Sequence, residues 1–198
     1  MAVRPVRVDA PGGPLTVFES DDVDRDLDDA IARGGPTPYG RILWSSARCV
    51  ADVVVRLGVR GARVVELGCG LGLVSLVAAR AGARVLATDV DAFALGAVTR
   101  AAAEQGLTVE CAYFDVTSPL ALPEGDVYVA ADLTYEERLT AAVGLRVLEA
   151  KARGARVIVG DPGRVFRPAL VQVLHDAGVA ARFDPVEAGP DKSEVAVI

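Results

Sequence analysis

Five acids stand at the ends of apolar runs in this chain: Glu66, Asp89, Asp115, Asp132 and Asp161. If each run is a strand, these carboxylates gather at the carboxyl edge of one sheet, which is where an open α/β fold binds its ligand. The first run, Ala62–Val65, passes through Glu66-Leu67-Gly68-Cys69-Gly70-Leu71-Gly72 into the helical pattern Leu73–Ala81. That is a strand, a glycine turn and a helix. Gly68 and Gly70 let the backbone turn tightly and approach a ligand, and Gly72 lets the helix begin against the strand. Asp89 ends the next strand, Arg84–Thr88, about twenty residues after the loop, where a nucleoside-binding fold places its ribose acid. The loop lacks both the Lys-Ser/Thr end of a phosphate-binding loop and the G-x-G-x-x-G spacing of a dinucleotide fingerprint. Asp115, after Val109–Phe114, is placed either to accept a hydrogen bond from an adenine amino group or to cap its own loop. Asp132 opens Asp132-Leu133-Thr134-Tyr135 and either caps the helix that follows, with Tyr135 in the core, or faces a ligand.

Stepping from these residues to the elements that carry them, the chain alternates in period. The pattern predicts strand 62–67, helix 72–81, strand 84–88, helix 91–105, strand 108–113, strand 126–131, helix 136–152, strand 155–160 and helix 168–177. Two closing strands, Val179–Phe183 and Glu194–Ile198, follow without a helix between them and must pair antiparallel at an edge. The expected fold is α/β: a Rossmann-like, doubly wound sheet of seven strands, mostly parallel with an antiparallel C-terminal edge. Ahead of it, Val6-Arg7-Val8 and Leu15–Phe18 flank Ala10-Pro11-Gly12-Gly13-Pro14 and predict an N-terminal hairpin. The acidic stretch 21–29 reads as a solvated loop with a helix start. Gly34-Gly35-Pro36-Thr37-Pro38 breaks the chain, and Leu43, Ala47, Val50, Val54 and Leu57 then mark an amphipathic helix ending near Gly58. One domain over residues 1–198 is expected, with 1–37 as accessory hairpin and acidic loop and 38–198 as catalytic core.

A length of 198 residues suits one domain with a substantial core. Hydrophobic residues reach 52%, yet no apolar stretch approaches the roughly 20 residues of a membrane span. Met1-Ala2-Val3-Arg4-Pro5 has no apolar run behind it to act as a signal peptide, so a cytoplasmic protein without a membrane partner is expected. Cys49, Cys69 and Cys111, with a single histidine, His175, suggest neither a disulfide framework nor a metal site. The net charge of −6 disfavours nucleic acid as a partner.

An acid-headed E-x-G-x-G-x-G loop followed by a strand ending in Asp resembles the S-adenosylmethionine site of class I methyltransferases. The D-x-x-Y of Asp132–Tyr135 resembles the [DE]-x-x-[YF] signature after strand four of seven-β-strand lysine methyltransferases. Pro38-Tyr39-Gly40-Arg41-Ile42-Leu43-Trp44 and Gly160-Asp161-Pro162-Gly163-Arg164 extend the likeness, which looks closest to the electron-transfer-flavoprotein β-subunit lysine methyltransferases and their bacterial relatives. It runs from about residue 36 to about residue 167. The N-terminal hairpin, the acidic loop and Ser45-Ser46 depart from that pattern.

The resemblance implies S-adenosylmethionine as cofactor, with Trp44, Glu66, Gly68, Gly70, Gly72, Asp89, Asp115 and Asp132 around it. It implies Asp132 and Tyr135 as the catalytic pair, Asp132 capturing and orienting an ammonium and Tyr135 aiming the amine. Asp161 and Arg164 are the candidate substrate contacts, with Arg164 paired to Asp161 as the other option. The implied activity is protein-lysine N-methylation, the partner being a protein with an exposed lysine. A small-molecule N- or O-methyltransferase is the alternative, and a non-catalytic binding protein with this fold is a third.

Overall fold

The computed structural model describes residues 3–34 and 37–198; Gly35 and Pro36 of the expected chain break lie outside the described residues. An antiparallel hairpin, β1 (Val3–Val8) and β2 (Leu15–Ser20), precedes helix α1 (Val23–Ala32) and a 3-10 turn at Tyr39–Arg41. The core then runs α2 (Ser45–Leu57), β3 (Arg63–Leu67), α3 (Leu73–Arg80), β4 (Arg84–Asp89), α4 (Ala92–Glu104) and β5 (Glu110–Tyr113). It continues through β6 (Val127–Ala131), α5 (Glu137–Ala152), β7 (Arg156–Asp161), α6 (Arg167–Asp176), β8 (Asp184–Ala188) and β9 (Asp191–Val197). The seven-stranded sheet has the order β5-β4-β3-β6-β7-β9-β8, with β9 antiparallel to both β7 and β8. The α/β, Rossmann-like sheet of seven strands with an antiparallel edge and a separate hairpin is thus present as expected.

Side chains alternate across a strand, so a sheet covered on both faces reads as a continuous apolar run. Val64, Val127, Val129 and Ile158 pack on one face with α2, α3 and the hairpin. Val65, Tyr128, Ala130, Val157 and Val159 pack on the other with α5 and α6. The hairpin is fastened to the core through Gln105, just past α4. The Gln105 side-chain amide donates to the Thr16 carbonyl and accepts from the Thr16 amide, both at 2.8 Å, as a neighbouring strand would.

Two expectations need correction. The penultimate strand is Asp184–Ala188, and residues 179–183 form an unpaired segment. The hairpin at Gly189-Pro190, with Gly189 at φ 61°, sets the register Ala188↔Asp191, and Pro185 is tolerated because β8 is an edge strand. The acidic stretch is a ten-residue helix rather than a loop with a helix start, begun by Asp22, whose side chain accepts from the Arg25 amide at 3.0 Å. None of its residues is buried.

The chain turns from β3 into α3 around Glu66, which is 2% exposed and accepts from the Ser75 amide at 2.9 Å and from the Ser75 hydroxyl. Burial pushes its carboxyl up to about 8, against the pull of those two hydrogen bonds. Between its ordinary value of 4.5 and about 8 the folded chain therefore holds a proton that the unfolded chain has lost. Stability falls as pH rises through that window.

Glu66→Gln removes this titration and keeps an acceptor for Ser75. Thermal melts from pH 5 to 8 should show wild type losing stability relative to the variant by up to about 1.4 kcal/mol per pH unit. Parallel curves would mean that Glu66 does not titrate there. Packing offers a second test, because a Cβ on Gly160 in β7 would overlap Val50 of α2, whereas one on Gly96 in α4 meets nothing within 4 Å. Gly160→Ala should lower stability by about 1–3 kcal/mol, and Gly96→Ala should raise it by roughly 0.5–1 kcal/mol, in denaturant titrations.

Candidate functional site

Strand order reverses between β3 and β6, and there a cavity of about 860 Å³ opens beyond the strand ends. Its wall includes Gly68 and Gly70 after β3, Asp89 at the end of β4, Asp115 after β5, and Asp132 and Tyr135 after β6. Tyr39, Gly40 and Trp44 enter from the segment before α2, and α1 with its cap borders the cavity through Asp22, Arg25 and Asp29. Volume and position are those of a small-molecule site in an open α/β sheet.

The glycine loop is built by close approach. Gly68 and Gly70 have φ of 62° and 49°, a region that favours glycine. A Cβ on Gly68 would stand 2.5 Å from Leu133 Cδ2, and one on Gly40 would stand 3.6 Å from the Gly70 Cα. The Tyr39–Arg41 turn thus lies against the loop, glycine facing glycine. Asp89, 7% exposed, accepts from the Gly70 amide on one oxygen and the Asp91 amide on the other, each at 2.9 Å. Burial pushes the Asp89 carboxyl up, and those backbone amides pull it back. Asp115 accepts from the amide and hydroxyl of Thr117 at 2.7 and 2.8 Å, so it caps its own turn while it lines the cavity.

Asp132 is the one non-glycine residue with a positive φ among those described, at 64°, and is 5% exposed. It is not the cap of α5, which begins five residues later. Strained backbone at the end of a strand is a mark of a functional position. Its Oδ1 accepts from Arg164, while its Oδ2 is buried without a hydrogen-bond partner. Tyr135 is not core: it lines the cavity, its ring 4.7 Å from that of Tyr39. Burial, with Asp89 and Glu136 nearby, pushes its hydroxyl up to about 12, so it keeps its proton throughout the physiological range. The Trp44 indole donates to the Tyr39 carbonyl at 2.8 Å and stands edge-on to its ring, which closes an aromatic wall.

Four expected contacts lie outside this wall. Glu66 is turned inward to Ser75, and Gly72, whose Cβ would overlap Val98, serves the packing of α3 against α4. Asp161 is fully buried and accepts from the Thr134 hydroxyl and from the amides of Gly163 and Arg164, which ties the loops after β6 and β7 together. Arg164 pairs with Asp132 rather than with Asp161. The sequence reading passed over Arg41 and Asp91. Arg41 bridges Asp26 of α1 at 2.8 Å and Asp91 at 3.0 Å, and Asp91 caps α4 through the Phe93 amide. The Asp-x-Asp of Asp89–Asp91, with a helix behind it, was the available signal.

The family model described as methyltransferase small domain matches residues 49–130, from α2 through β6. The chain is 31% identical over 137 residues to the electron transfer flavoprotein beta subunit lysine methyltransferase of Xenopus laevis, an alignment covering 64% of this chain and 53% of that one. It therefore spans about half the length of this curated relative. Among solved structures it is similar to magnesium protoporphyrin IX methyltransferase from Synechocystis PCC 6803 with bound S-adenosylmethionine. That likeness has a TM-score of 0.61 and 20% identity over 90% of this chain and 96% of that one. It is also similar to the T. thermophilus 16S rRNA N2 G1207 methyltransferase, with a TM-score of 0.67 and 17% identity over 99% of this chain and 50% of that one. These two act on a porphyrin and an RNA, so at such identities the likeness carries the fold and not the substrate. Residues 49–130 thus match a methyltransferase domain model, and the fold is that of the methyltransferase structures to which the chain is similar.

Proposed function

We propose that the chain methylates the amine of a protein lysine, with the electron transfer flavoprotein β-subunit as the first substrate to test. The observation that carries this reading is Asp132, buried and strained, with one carboxylate oxygen unpartnered, beside an aromatic wall of Tyr39, Trp44 and Tyr135. A carboxylate with aromatic faces is the chemistry that receives an alkylamine. The curated likeness to a lysine methyltransferase supports it. Asp21, Asp22, Asp26, Asp29, Asp89, Asp91, Asp115 and Asp132, eight aspartates, line the cavity against three arginines, Arg25, Arg33 and Arg41. That excess favours a basic protein segment over a nucleic acid.

The residues present fit the cofactor. Asp89 would offer its remaining lone pairs to ribose hydroxyls, Asp115 would accept from an adenine amino group, and the bare backbone of Gly68 and Gly70 would admit close approach. Val90, Phe114 and Val116 supply an apolar border near Asp115. When bound, S-adenosylmethionine supplies a methyl group on a cationic sulfonium, open to in-line attack by an amine lone pair. The chain's part is to hold that amine in line, exclude water and orient its N–H groups. Tyr135, still protonated, orients the amine through its hydroxyl, and Asp132 accepts an N–H. The other reading, a small-molecule N- or O-methyltransferase, is favoured by the Tyr39–Arg41 turn and α1, which border the cavity mouth.

Asp89→Ala should weaken S-adenosylmethionine binding by about 1.5–3 kcal/mol in isothermal titration, roughly tenfold to more than a hundredfold, with the fold retained. Unchanged affinity would remove Asp89 from the cofactor site. For the substrate, incubation with purified electron transfer flavoprotein and labelled cofactor should add methyl mass to a β-subunit lysine, with kcat/KM falling as salt rises. Absence of that mass, with methylation of a small molecule instead, would favour the second reading.

A further inference from the structure

Arg164 stands behind the proposed amine site rather than in its wall. Its Nε and a terminal nitrogen both donate to Asp132 Oδ1, at 2.7 and 2.6 Å, and its guanidinium lies 5.0 Å from the centre of the Trp44 ring. The Asp132 side chain is 3% exposed and that of Arg164 27%. A cation already occupies the carboxylate, and it leans on one of the aromatic faces of the wall.

Lysine arrives as an ammonium, with a pKa near 10.4, and has no lone pair to attack with until it loses a proton. An unpaired buried carboxylate would hold the charged form, whereas a cation beside that carboxylate favours the neutral one. The surrounding groups leave Arg164 free to do this. Arg167 of α6 is engaged by Asp161 and by Glu194 of β9, and Asp161 is satisfied by Thr134 and two amides. Tyr39, Asp89 and Glu136 are the other titratable groups that act on Tyr135, and Asp161 acts on Asp132.

Building on the lysine reading above, we propose that Arg164 is a positioning residue that neutralises Asp132, so that the cavity holds the substrate amine in its neutral, nucleophilic form. The ammonium releases its proton to solvent on entry. The neutral amine donates one N–H to Asp132 Oδ2, the oxygen that Arg164 leaves unpaired, and keeps its lone pair for the methyl carbon.

The test is the pH dependence of kcat on electron transfer flavoprotein, which reports ionisations in the bound complex. In Arg164→Gln the acid limb should move up by about one pH unit or more, a roughly tenfold loss at pH 7.5 that is recovered at higher pH. Arg164→Lys should keep the limb near its wild-type position, and the double variant Asp132→Asn with Arg164→Gln should return it there at a lower rate. Trp44, the only tryptophan, gives a readout without turnover. Fluorescence titration with n-butylamine from pH 7 to 11 should show affinity rising with pH in wild type and falling in Arg164→Gln. A folded Arg164→Gln protein with unmoved kcat limb and unmoved amine profile overturns the role of Arg164 while wild-type lysine methylation stands. No methylated lysine, together with no n-butylamine binding at any pH, overturns the lysine reading and this inference with it. Reversed amine profiles without flavoprotein methylation support Arg164 and reject only that substrate.

Discussion

The carboxylate of Asp89 is the contact on which the site's geometry turns. One oxygen takes the amide of Gly70 and the other that of Asp91, so a single buried side chain fixes the glycine loop after β3 relative to the start of α4. Loop backbone at positive φ has little reason to hold one conformation in water, and a buried acceptor that would otherwise lack partners supplies the reason. The requirement runs both ways. Asp89 needs those amides to remain a carboxylate in a buried place, since burial alone drives it toward the protonated form.

A second set of contacts organises the far side of the cavity. Asp161, sealed from solvent, gathers Thr134, Gly163 and Arg164 and thereby sets the loop after β6 against the loop after β7. Asp132 sits between them with its backbone strained, and Arg164 reaches back to it. The two aspartates have divided the work: Asp161 is spent on structure, and Asp132 keeps an oxygen in reserve.

Arg41 joins the N-terminal elements to this core. It carries Asp26 of α1 on one side and Asp91 on the other, across the edge of the cavity. Helix α1 buries none of its residues, so its place over the mouth rests on such polar ties more than on packing. An element held this way opens at lower cost than one packed into a core.

Much of the fold was legible because the periods are unambiguous. Apolar runs at β3, β4, β6 and β7 alternate with helical stripes, and glycine turns punctuate them, so the parallel sheet, its antiparallel edge and the acids at the strand ends follow from local patterns. The edge hairpin was misplaced because Val179, Ala181 and Phe183 pack partly against the core without pairing, and burial alone mimics a strand. Gly68, Gly70, Asp89, Asp115, Asp132, Trp44 and Tyr135 were foreseen as site residues, and all line one cavity. What no local pattern contained was direction. Glu66 and Asp161 are acids at the same sheet edge as Asp89 and Asp132, yet they point into the protein, because Ser75 and Thr134 stand where only the packed chain could bring them. The sequence by itself determined which residues reach the edge; the tertiary structure decided which face the cavity and that Arg164 pairs with Asp132, since those choices depend on partners 9 to 32 residues away.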